Sequence, residues 1–209
     1  MVEDYKGYVG KAEEYDRRAA VQFAVLTMLG LREYHDLLDI GCGSLRGGRL
    51  FIPYLLPGRY CGMDKPDARP IVEEGLRTEL AAGITATKQP TFMYSSDFFF
   101  DGFQRAFDYV LAQAVFCHIT LKEIATCLKA VEGVMKPHGK LVASFHEAEF
   151  DDKRKKLQYP EVAWYRLDTI RKLAGEVGLS CRGINKTLLG GTNLHEQYAR
   201  MSWVVMERT

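Results

Sequence analysis

Short apolar runs that close on glycine or an acid alternate with segments of helical period along this chain, and few folds accept that alternation. The runs are Asp36–Ile40 (DLLDI), Arg59–Asp64 (RYCGMD), Thr91–Ser95, Phe107–Ala112 (FDYVLA) and Lys140–Phe145. Runs this short and this apolar read as strands buried on both faces. Helical stretches separate them at Gly47–Leu55, Ala68–Ala82 and Leu121–Met135, the last with Ile124, Leu128, Val131 and Met135 on one stripe. An amphipathic helix over Asp16–Leu29, closed by Gly30, precedes the first strand. Pro137-His138-Gly139 reads as the turn into the fifth strand. A helix over Thr169–Val177 follows, with Asp168 as its N-cap and Gly178 behind it. The tail adds strands at Ser180–Lys186 and Met201–Glu207; with no helix between them they form a hairpin, which makes one edge antiparallel. The pattern predicts an α/β protein, a doubly wound parallel sheet with helices on both faces.

The 209 residues show no repeat or linker and correspond to one domain. Within it, residues 1–30 form a helical lid or packing segment. A net charge of +1 gives no global field toward nucleic acid or an anionic membrane. The longest uncharged runs, Ala19–Leu31 and Tyr109–Leu121, are shorter than the ~20 residues a bilayer requires. The opening MVEDYKGYVG has no apolar secretory region. The 5 cysteines form no CxxC pair and fit a reducing compartment, so the expectation is cytoplasmic, with no membrane and no nucleic-acid partner. Oligomeric state has no signature in the sequence.

In such a sheet, ligands bind at the carboxyl ends of the strands. The first strand ends in Gly41-Cys42-Gly43-Ser44, where glycines let backbone approach a ligand. The second ends in Asp64-Lys65, where a carboxylate can accept both ribose hydroxyls. After the third come Asp97 and Phe98, an acceptor for an adenine amine and a ring for the purine face. Arg46 stands where a dinucleotide G-x-G-x-x-G needs glycine, and no P-loop is present. Asp39, two residues before the first glycine, fits a nucleoside cofactor without a pyrophosphate.

LLDIGCGSLRGGR, RYCGMDK, SSDFF, FDYVLAQAVFCHIT and LKAVEGVMKPHGKLVASF resemble, in order, the motifs of class I S-adenosylmethionine-dependent methyltransferases. The resemblance covers about Asp36 to Phe150, with weaker support from the last strands. It implies a Rossmann-like seven-stranded sheet ordered 3-2-1-4-5-7-6, strand 7 antiparallel. It also implies S-adenosyl-L-methionine held by Gly41, Cys42 and Gly43 at the methionine end, by Asp64 at the ribose and by Asp97 and Phe98 at adenine, with Gln113 beside the sulfonium. The family's third glycine of G-x-G-x-G is Leu45 here. AVFCHIT, KPHGKLVASF and HEQYARMSWVVM are also loosely similar to methyltransferases acting on sugars and other polyhydroxylated metabolites.

That resemblance points to a small-molecule acceptor. An aliphatic hydroxyl needs a general base, and histidine suits neutral pH. His146, directly after the fifth strand, is the first candidate and His118, after the fourth, the second. His35 and His138 read as solvated and His195 as structural. The acids of His146–Asp152 are a place for a divalent cation, although no standard ligand spacing indicates one. Lys153–Lys156 reads as a solvated basic run. Tyr8 and Tyr15 are candidate substrate-binding residues in a segment that folds over the cofactor as a lid or simply packs, and Trp164 and Tyr165 before the last helix are a candidate acceptor wall. The expectation is O-methylation of a sugar or secondary metabolite. The alternatives are N-methylation of a small amine or peptide, and a non-catalytic protein that only binds the cofactor.

Overall fold

The computed structural model describes residues 4–184 and 201–209. The strands β1 (Leu37–Ile40), β2 (Tyr60–Asp64), β3 (Thr91–Tyr94), β4 (Phe107–Ala112), β5 (Met135–Glu147), β6 (Trp164–Tyr165), β7 (Leu179–Gly183) and β8 (Met201–Arg208) run in the order β3-β2-β1-β4-β5-β8-β7, with the short β6 paired to β5. With helices on both faces, this is the expected α/β architecture. The expected order 3-2-1-4-5-7-6 is met, since β7 and β8 correspond to the predicted strands 6 and 7. The chain divides into two compact units, Met1–Phe107 and Asp108–Thr209.

In the first unit, α1 (Tyr15–Met28) buries Tyr15, Ala19, Gln22, Val25 and Leu26 along one stripe. β1 (Leu37–Ile40) is buried at every position, as a strand covered on both faces must be. α2 (Gly48–Tyr54) carries Pro53 one residue before its end, where the lost N–H breaks little of the ladder. β2 (Tyr60–Asp64) pairs parallel with β1, Leu37 opposite Tyr60, and β3 (Thr91–Tyr94) pairs parallel with β2, Tyr94 opposite Asp64. The helix expected over Ala68–Ala82 is α3 (Arg69–Glu79), and a further helix that was not expected, α4 (Ala82–Lys88), follows it. Leu80 takes extended backbone between them and is 7% exposed, so core burial wins over continued helix.

In the second unit, β4 (Phe107–Ala112, its first residue at the boundary) matches its expected bounds and leads to α5 (Leu121–Val134). A capping box opens that helix: Thr120 accepts from Glu123 N, and Glu123 reaches back to Thr120 N. β5 (Met135–Glu147) runs through Pro137-His138-Gly139, where a turn was expected. Its ladder with β8 (Met201–Arg208) starts only at Lys140, so Pro137 is never asked for an N–H there. β6 is Trp164–Tyr165 and α6 is Leu167–Glu176. Asp168 is not the N-cap of α6: Arg166 holds that place, without a side-chain cap, and Asp168 lies in the first turn. β8 runs antiparallel to both β5 and β7 (Leu179–Gly183). The antiparallel strand is therefore interior, and the edge strand is β7. The expected strand at Ser180–Lys186 ends within the described residues at Gly183; Asn185, Lys186 and His195 lie outside them.

Candidate functional site

In the first unit the glycine turn is built by hydrogen bonds to the end of the neighbouring strand. Gly41 N and Cys42 N both donate to Met63 O, at 2.7 and 3.2 Å. Gly43 N donates to Asp64 Oδ2 at 2.7 Å, and Lys65 N donates to the other oxygen at 2.8 Å. Gly41 and Gly43 have φ of 67° and 53°, left-handed values that glycine adopts without a Cβ clash. Gly41 is exposed while Cys42 through Gly48 are buried, so the first glycine offers its backbone to an incoming group. Leu45 keeps the left-handed turn without being glycine, at φ 61° and fully buried.

The carboxylates around the turn differ in environment. Asp39 lies beneath it, 5% exposed, accepting from Tyr60 Oη at 2.7 Å. Burial raises its pKa to about 7, against the lowering effect of the Tyr60 bond. Asp64 is half-buried; burial raises it, and the Gly43 and Lys65 N–H bonds oppose that rise. Ser95 N donates to Asp64 O at 3.0 Å, which ties the end of β3 to the same place. Asp97 is exposed, its N bonded to Ser95 Oγ at 3.1 Å. Phe98 follows at φ 50°, its ring centroid 6.2 Å from that of Phe100. Three successive parallel strands thus end in the turn, Asp64 and Asp97. Burial pushes the Cys42 thiol up, and it is 5% exposed.

The N-terminal segment packs on this turn. A Cβ on Gly43 would meet Val9 Cγ1 at 2.4 Å, and Arg46, itself 6% exposed, donates to Val9 O. Tyr15 Oη donates to Ser44 O at 2.8 Å; at 1% exposure it is a packing residue beneath the turn, not the substrate-binding residue expected of it, and its pKa is pushed up to about 12 by burial. Tyr5 Oη donates to Glu79 at 2.6 Å, and Lys6 and Arg49 pair with the same carboxylate at 3.3 and 3.2 Å. Burial alone would raise Glu79; those partners outweigh it and lower it. Tyr8 is half-buried in the same segment. Neither Arg46 nor Glu79 was singled out as a partner of this segment, because single charges flanking a helix carry no periodic signal.

In the second unit, Gln113 is 8% exposed just after β4, and Ala114, at φ 57°, donates to Ser144 Oγ at 2.9 Å. The His118 ring nitrogen Nδ1 lies 2.7 Å from Glu161 O, and the ring meets Tyr159 edge-on at 4.9 Å. His146 stacks on Trp164, centroids 4.5 Å apart and planes at 27°. The pairing of β5 with β6, which sets those two residues opposite each other, is the cause. Tyr165 is 1% exposed and donates to Ile119 O at 2.7 Å, so it braces the loop after β4 and is not an open wall.

The acids after His146 diverge. Glu147 accepts from Ser202, Asp151 from Arg166 N at 2.9 Å and Thr169 Oγ1 at 2.7 Å, and Asp152 from Arg154. Among the described residues no group of three or more His, Cys, Asp or Glu could hold a metal. In the basic run, Arg154 turns back onto Asp152 while Lys153, Lys155 and Lys156 are exposed. No helix among the described residues is long and apolar enough to cross a membrane.

No family model matches the chain, and no curated protein matches it. Solved structures do. The glycopeptide N-methyltransferase MtfA complexed with S-adenosyl-L-homocysteine matches with a TM-score of 0.69 at 11% identity, over 93% of this chain and 90% of that one. The magnesium protoporphyrin IX methyltransferase ChlM from Synechocystis PCC 6803 with the same ligand gives 0.66 at 19%, over 97% and 90%. An O-methyltransferase family protein from Burkholderia thailandensis gives 0.60 at 12%, over 99% and 63%. At these identities the likeness is one of fold.

Proposed function

We propose that the protein is an S-adenosylmethionine-dependent methyltransferase acting on a hydroxyl of a small polar acceptor, a sugar or secondary metabolite. The observation that carries the reading is the left-handed glycine turn whose Gly43 N–H is joined to the Asp64 carboxylate at 2.7 Å. The residues present fit the cofactor. Exposed Gly41 admits its methionine end, with Cys42 and Gly43 completing the turn over buried Asp39. Asp64, beside Lys65, receives the ribose hydroxyls. Asp97 accepts from the adenine amine, and Phe98 covers the purine. Solved structures of the same fold with S-adenosyl-L-homocysteine bound support that assignment.

When bound, the cofactor supplies a methyl group activated by its sulfonium, and alignment does most of the remaining work. In the second unit His118 is the general base. A carbonyl oxygen only accepts, so Nδ1 carries the proton toward Glu161 O and the neutral ring has its lone pair on Nε2. In this reading Nε2 would take the proton of the acceptor hydroxyl, and the cofactor, when bound, would supply the methyl group to that oxygen. His146, stacked on Trp164, forms with it a flat surface for a sugar ring. This proposal prefers His118 to His146, the first candidate from the sequence, because His118 has an orienting carbonyl and His146 an aromatic partner. Gln113, buried after β4, would take the place beside the sulfonium that the family resemblance gives it. Of the acids after His146, Glu147, Asp151 and Asp152 already accept from Ser202, Thr169 and Arg154.

The test is S-adenosylhomocysteine release with fractionated polar metabolites. A hydroxylated acceptor should support turnover, and His118→Ala should lower kcat by ~10²–10⁴-fold. An amine acceptor, with turnover indifferent to both His118→Ala and His146→Ala, makes the protein an N-methyltransferase. Binding without turnover on any fraction makes it a cofactor-binding protein.

A further inference from the structure

We propose that Arg154 is a positioning residue for His118, holding still the carbonyl that fixes the imidazole tautomer. The inference rests on the reading of His118 as the base. An imidazole in water favours the proton on Nε2; Glu161 O, at 2.7 Å from Nδ1, selects the opposite form and leaves Nε2 basic. A carbonyl in a loop does this only if the loop is fixed.

Regular pairing does not fix residues 158–163. Their bonds include Glu161 N to Gln158 O and Gln158 N to Glu161 Oε2, both 2.8 Å, and Ala163 N to Cys117 O at 2.7 Å. Arg154 ties the segment to the sheet. Its Nη1 pairs with Glu161 Oε1 at 3.3 Å and its Nη2 donates to Val162 O at 2.6 Å, one peptide from the carbonyl that faces His118. The guanidinium is gripped by Asp152 at 2.9 Å from Nε to Oδ2, and Asp152 N donates to Trp164 O on β6 at 2.8 Å. The path runs from β6 through Asp152 and Arg154 to Glu161 and His118. The planar fork suits this bridge, since it donates to a carboxylate and a carbonyl at once.

Arg154 is 43% exposed, and an ion pair that open to solvent adds little stability. Its contribution is therefore geometric, which separates it from a structural residue. The test is imidazole ¹⁵N–¹H correlation NMR of the full chain, at alkaline pH where the ring is neutral. The wild type should show His118 as the Nδ1–H form. Arg154→Met should give a mixture shifted toward Nε2–H at nearly unchanged melting temperature, and Arg154→Lys, with one donor centre, should restore the wild-type form in part. If Arg154→Met does not fold, Asp152→Asn removes the grip and should shift the tautomer in the same direction. A wild-type tautomer in the variants that fold overturns the proposal and leaves the base reading intact. Undiminished turnover in His118→Ala removes the base reading and the catalytic meaning of the tautomer, even where the shift is seen.

Discussion

Asp39 and Leu45 hold conformations and charge states that water would not choose. Asp39 is buried with a pKa near 7, far above the ordinary 3.8. The folded chain therefore holds the Asp39 proton more tightly than the unfolded one. That contribution to stability is full below pH 3.8 and is lost as pH rises toward about 7. Melting temperature should consequently fall more steeply with pH across this window in wild type than in Asp39→Asn, whose amide oxygen still accepts from Tyr60. Equal slopes would mean that Asp39 stays ionised. At Leu45 the backbone is left-handed, a cost of roughly 1–2 kcal/mol for a residue with a Cβ. Glycine in place of alanine ordinarily costs ~0.5–1 kcal/mol. Here relief of the strain outweighs that penalty, so Leu45→Gly should be the more stable of the two variants in urea unfolding. Both should fall below wild type, since Leu45 is fully buried. The ordinary order, alanine above glycine, would show that the turn relaxes.

At the scale of elements, the two helices of the second unit start differently. α5 has a reciprocal capping box, so Thr120→Ala should cost ~0.5–2 kcal/mol. Asp168, exposed in the first turn of α6 and paired only at the surface with Arg171, should cost less on replacement by alanine. Chemical denaturation of the pair checks the contrast, and equal losses would contradict it. The capping residues also show what was legible. β1, β2, β4 and α5 were readable because continuous apolar runs and a helical stripe are local patterns. The break at Leu80 was not, because no glycine or proline marks it and only the core asks for it. Pro137-His138-Gly139 looked like a turn because proline and glycine punctuate chains, yet the ladder with β8 begins beyond them. For the candidate site, the positions of the glycine turn, Asp64 and Asp97 at or just beyond strand ends were readable, because those strands are local patterns. The Arg154–Glu161–His118 path was not, since a backbone carbonyl leaves no trace in a sequence.

Across the whole molecule, the account is a division of labour. In the proposed reading the first unit would hold the nucleoside, with the glycine turn, Asp64 and Asp97 at the ends of β1, β2 and β3. The second carries the two histidines, one oriented by a carbonyl and the other stacked on Trp164. The N-terminal segment lies on Gly43 through Val9 and on Glu79 through Tyr5 and Lys6, and leaves Gly41 exposed. Everything assigned to the second unit depends on the cofactor assigned to the first. The most direct measurement is therefore calorimetric titration of S-adenosylhomocysteine into wild type and Asp64→Ala. The account predicts saturable one-to-one binding to wild type, weakened in the variant by ~1.5–3 kcal/mol, the value of hydrogen bonds to a charged acceptor. Binding of equal strength to both proteins, or no binding to wild type, would contradict it.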